Sequence, residues 1–131
     1  MTRGGPGPLD ETWQGWASRV AVDLAELTDA DWLTFSVRGP DAFIQARRLE
    51  GMLALELIGD TEFEGLTDLT SAQLAALTGL GWISDGRDPE FERTFPAAAG
   101  AEAAALLRAT LADVLGAGSP ADVDVRRAPR P

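Results

Sequence analysis

Five residue types are missing from this 131-residue chain: lysine, histidine, cysteine, tyrosine and asparagine. Without cysteine there is no disulfide, thiol nucleophile, zinc–thiolate site or iron–sulfur cluster. Without histidine there is no Ser-His-Asp machinery, no imidazole ligand and no side chain that switches charge near neutrality unaided. Without lysine there is no Schiff base and no P-loop lysine. Positive charge is scarce as well, with 11 arginines against 21 acids and a net charge of -10. Phosphate recognition needs a cationic surface, so the balance argues against nucleic acid as a partner. No apolar run approaches the ~20 residues of a membrane span. Met1 to Pro8 reads MTRGGPGP, without the apolar core of a signal peptide. A soluble protein of the cytoplasm, with no membrane partner, is the expectation.

What remains is enough for a folded domain. The length matches one domain of ~100–150 residues, and 45% hydrophobic residues are compatible with a real core. Residues 1–8 and 126–131 are expected to be disordered ends flanking a single α+β domain over 9–125. The two ends carry Arg3, Arg126, Arg127 and Arg130 and no acid, so the segment 9–125 holds 7 arginines against 21 acids, a charge of -14.

The hydrophobic period changes along the chain. Trp13, Trp16, Val20, Leu24 and Leu27 recur at three and four, predicting a helix over 10–27 with Asp10 as its N-cap. Leu33, Phe35 and Val37 alternate with Trp32, Thr34 and Ser36, as in a half-buried strand. Residues 42–48 are read as a strand because 52–58 alternates cleanly (Leu53, Leu55, Leu57 on one side) and needs a partner. Thr70 and Gln73 spell a capping box, with Leu69 and Leu74 as its staple, for a helix over 71–78 closed by Gly79 at C′. Short strands are expected at 82–84 and 91–95. A last helix over 100–115 stops at Gly116 and is followed by an extended Val123/Val125 stretch. The fold class is α+β: helix-βββ-helix-ββ-helix, an antiparallel sheet packed by helices, with Leu33, Phe35, Leu53, Leu55, Leu57 and Leu111 buried together.

Residues 53–56 (Leu-Ala-Leu-Glu) form an alternating strand with a glutamate. Gln73, Leu74, Leu77 and Leu80-Gly81-Trp82 follow the pattern Q-x-x-x-L-x-x-L-G-W at a helix-to-strand junction. An aromatic-bearing strand (Phe91) and a last helix followed by a short loop with Ser119-Pro120 complete the order. In these features the chain resembles the YbjN-like and TY-Chap proteins, grouped with the type III secretion chaperone fold. The resemblance implies a non-catalytic peptide- or protein-binding module that acts by groove or strand addition, without a cofactor. It also implies a two-fold homodimer, for which the charge-poor region with Leu74, Leu77 and Trp82 is the expected interface. The last helix is richer in alanine than that family's outer helices.

Other chemistry is weaker. Asp29/Asp31, Glu62/Glu64 and Asp122/Asp124 are spaced as divalent-cation ligands, but none sits in an EF-hand loop, and solvated acids in turns are expected. Paired-carboxylate catalysis needs a deep cleft, so an enzyme is not expected. Gly79-Leu80-Gly81 precedes a strand rather than a helix and is no dinucleotide loop. Trp13, Trp16 and Trp82 are read as core. Trp32 differs: if Leu33, Phe35 and Val37 face the helices, Trp32 points to the other side of the sheet. Met52 and Phe43 join it there among Thr34, Ser36, Gln45, Ala54 and Glu56, a composition that suits a contact surface. Trp32, Phe43 and Met52 are therefore the expected peptide-binding residues, and the acidic body favours a basic client. A structural dimerisation or regulatory domain without a client is the alternative.

Overall fold

The computed structural model describes residues 12–38, 43–58, 70–84 and 90–129. Helix α1 (Trp13–Ala25) begins at Thr12, whose hydroxyl accepts from the Gly15 amide at 3.0 Å. Thr12 rather than Asp10 is therefore the N-cap. The stripe expected for this helix is realised, with Trp16, Val20 and Leu24 buried.

Strands β1 (Asp31–Val37), β2 (Phe43–Leu49) and β3 (Met52–Ile58) follow in sequence. The β2–β3 hairpin closes through Glu50 and Gly51, both with positive φ (53° and 78°). Such a two-residue turn matches the right-handed twist of the strands it joins. Helix α2 (Ser71–Gly79) carries the full capping box: Thr70 Oγ1 accepts from the Gln73 amide, and Gln73 Oε1 accepts from the Thr70 amide. Its staple residue Leu69 lies outside the described residues. Gly79 is the last helical residue, and the left-handed position falls on Gly81 (φ 103°) instead.

Strand β4 is Glu90–Pro96 and helix α3 is Gly100–Ala109, which continues as a π-helical turn over Thr110–Val114. The expected strand at 82–84 is reduced to one bridge, Ile83 to Glu92. A final strand, β5 (Val123–Pro129), takes in residues 126–129, expected as part of a disordered tail. The five strands form an antiparallel sheet in the order β4-β3-β2-β1-β5. With three helices, this is the α+β architecture that the order of periods predicts.

The core lies between one sheet face and the helices. Leu33, Phe35, Leu53, Leu55, Leu57 and Leu111 are buried together, with Trp16 and Leu107 among the helical contributions. Trp16 packs edge-on against Phe35, ring centroids 6.1 Å apart. Two polar links tie α2 and the segment after it to the π-turn. Gln73 Nε2 donates to the Val114 carbonyl at 2.8 Å, and Trp82 Nε1 donates to Thr110 Oγ1 at 2.9 Å. Arg48, at the end of β2, donates to the Ala25 carbonyl of α1.

Candidate functional site

Strand alternation sends every second residue to the sheet face opposite the helices. The pairing register sets these residues in rows across the strands. One row runs Trp32–Arg47–Ala54, the next Thr34–Gln45–Glu56, and a third Ser36–Phe43–Ile58. Leu49 and Met52 face each other at the hairpin end. Among the described residues no helix packs on this face. Its central residues are half-buried, while Leu49 and Met52 are 41% and 37% exposed.

Trp32 is held from the side. The Arg47 guanidinium lies 5.7 Å from its ring centroid, a cation–π distance, and the same guanidinium is 3.0 Å from Glu56. Trp32 Nε1 is occluded and has no hydrogen-bond partner. The result is an aromatic ring clamped by an arginine whose charge is balanced by a neighbouring acid. Such a ring offers apolar area at low entropic cost, because its rotamer is already restricted.

The three expected anchors share this face, but they do not form one cluster. Trp32 and Met52 lie toward the hairpin end with Leu49. Phe43 pairs with Ser36 and Ile58, four residues along β2 from Arg47, about 13 Å away. The polar row Thr34–Gln45–Glu56 separates the two apolar ends. Arg47 and Leu49 share the parity of Phe43 and Gln45 and lie on this face with them; sequence reading passed over both.

The expected dimer patch requires correction. Leu77 and Trp82 are 0% and 2% exposed within the protomer, and Leu74 is packed against the core. Leu77 is on the inner side of α2, and the Trp82 indole is bonded to Thr110 of the π-turn, so a second copy cannot reach Leu77 or Trp82. The large apolar residues of that stretch that face outward are Leu80 and Ile83.

Of the acidic pairs, Asp31 binds Arg127 at 3.2 Å, Asp122 accepts from the Gly118 amide, and Asp124 lies 3.5 Å from Arg126. Glu62 and Glu64 lie outside the described residues. Among the described residues no group of three or more acids is placed to hold a metal ion. An open recess of about 490 Å³ at the start of β5 includes Asp122, Asp124 and Arg38, but the two carboxylates have the partners just named. No described helix is long and apolar enough to cross a membrane.

Comparison with curated proteins and with solved structures gave no match. The model of one protein family matches residues 7–129, nearly the whole chain; it is the TY-Chap3 family, described as "T3SS (YopN, CesT) and YbjN peptide-binding chaperone 3". The chain belongs to the TY-Chap3 family of peptide-binding chaperones.

Proposed function

We propose that this chain is a non-catalytic peptide-binding module whose client lies on the open sheet face. The observation that carries the reading is a face with large apolar side chains and no helix over it among the described residues, in a chain of a peptide-binding family. Trp32 and Met52, with Leu49 beside them, take apolar side chains at the hairpin end, and Phe43 takes another at the far end. The spacing suits an extended segment better than a compact ligand, because about 13 Å between apolar sites corresponds to four residues of extended chain. The net charge of -10 attracts basic segments and repels acidic ones, so affinity should fall as salt rises. The module works as a two-fold homodimer in this reading, and the two-fold contact is treated below.

The test is anisotropy with labelled extended peptides, apolar and basic, against acidic controls. Trp32→Ala should weaken binding about tenfold or more, as expected of a central aromatic anchor. Its circular dichroism should stay unchanged, since Trp32 lies outside the helix-facing core. Loss of the fold in Trp32→Ala, or unchanged affinity, would remove Trp32 from the site. Failure of every peptide to bind the parent chain would remove the client.

A further inference from the structure

We infer that two copies of this chain join through β5, pairing antiparallel about a two-fold axis at Val125 to make one continuous sheet. The inference rests on the homodimer half of the reading above and not on the peptide half. It starts from the two edges of the sheet. On β4, the middle of the outer edge is already occupied: Ile83 exchanges both backbone hydrogen bonds with Glu92, at 2.9 and 2.7 Å. On β5, no described strand pairs with the outer edge. An unpaired edge of this length is a template for another strand unless it is guarded.

The phase of the ladder shows which β5 groups face out. The Arg38 amide donates to the Asp122 carbonyl, so Asp122 and the even-numbered residues after it direct their backbone groups to β1. Val123, Val125 and Arg127 direct theirs outward. The Val123 amide is already bonded to the Pro120 carbonyl, and Pro129 has no amide to give. Among the described residues, the amides left without a partner on this edge are therefore those of Val125 and Arg127.

The side chains select the partner. Asp124 and Arg126 lie on the same sheet face, one on each side of Val125. In an antiparallel pair centred on Val125, Asp124 stands opposite the partner's Arg126, and Arg126 opposite the partner's Asp124. The Val125 residues exchange both backbone bonds, and each Arg127 amide meets the partner's Val123 carbonyl. Asp124 and Arg126 then occupy the non-hydrogen-bonded positions, where side chains approach most closely and opposite charges attract. Shifting the centre by one residue either way sets Asp124 or Arg126 against its own copy. An edge with charges of one sign would repel a second copy; this order of charges accepts one, in one register. Within the protomer Asp124 and Arg126 are a loose pair, 3.5 Å apart with side chains 67% and 77% exposed, free to change partners.

The test is the mass of the full chain in solution, by light scattering and sedimentation over micromolar concentrations. The parent chain should be a dimer. Asp124→Arg and Arg126→Asp should each raise the dimer dissociation constant about tenfold or more, because symmetry turns two attractive pairs into two repulsive ones. The double swap Asp124→Arg with Arg126→Asp should restore it. A parent dimer indifferent to both single changes would overturn the β5 contact while leaving the homodimer standing. A monomeric parent would overturn both. A monomer whose binding of an extended peptide is abolished by Val125→Pro would assign the edge to a client strand instead, and that too overturns the inference.

Discussion

Thr110→Val removes one buried hydroxyl and changes little else in shape. Thr110 is fully buried; its Oγ1 donates to the Leu106 carbonyl at 2.7 Å and accepts from Trp82 Nε1 at 2.9 Å. The Leu106 carbonyl keeps a backbone bond from the Thr110 amide, so its loss is small. Trp82 is only 2% exposed, so water does not replace the lost acceptor. An unsatisfied buried donor costs about 1–3 kcal/mol, offset in part by the added apolar methyl of valine. The net expectation is a destabilisation of about 1–2 kcal/mol. With a urea m-value of ~1–3 kcal/mol/M this moves the midpoint down by about 0.3–2 M. Trp82→Phe removes the donor, so in the double variant the hydroxyl loss should cost less than it does alone. Equal costs in the two backgrounds would show that the Trp82–Thr110 bond contributes nothing, and the account of how α2 and its following segment are fastened to the π-turn would be wrong.

Thr70→Ala removes the hydroxyl half of the capping box and should cost about 1 kcal/mol in urea unfolding, with Thr70→Ser close to the parent. Arg47→Ala removes both the guanidinium over Trp32 and the Glu56 pair. Both side chains are part-exposed, so the stability cost should stay near or below about 1 kcal/mol. Peptide affinity should nevertheless fall, because Trp32 loses its clamp. Full affinity in Arg47→Ala would mean that the ring needs no clamp.

The central strands were legible because burial on one face imposes a strict period of two, and Leu53, Leu55 and Leu57 repeat it without interruption. The α2 N-terminus was legible because Thr70 and Gln73 are the residues that satisfy the free amides there. At the first helix, Asp10 and Thr12 are both good caps, and composition does not choose between them. β5 was read only as an extended stretch ending in a disordered tail. Only Val123 and Val125 in it pack toward the core, and an edge strand needs no more than that. The π-turn has no sequence signature, and the helix pattern runs through it. The dimer patch was misplaced for a related reason: the stretch from Thr70 to Ser84 has no charge, and lack of charge reads the same in a core as on a surface. The open face was found through Trp32, whose parity in β1 is opposite to that of Leu33 and Phe35. Arg47 and Leu49 share the parity of Phe43 and Gln45, but only the register shows that they stand beside Trp32 and Met52.

The most direct test of the binding face is a nitrogen–proton NMR titration of the isotopically labelled chain with a basic, apolar extended peptide, following the four indole N–H signals. Trp32 Nε1 has no partner on the open face, whereas Trp82 Nε1 is bonded to Thr110 in the core. The Trp32 indole should shift together with the amides of Phe43, Leu49 and Met52, while the Trp82 indole stays in place. Shifts confined to α1 and α3, with the Trp32 indole unmoved at saturation, would contradict it.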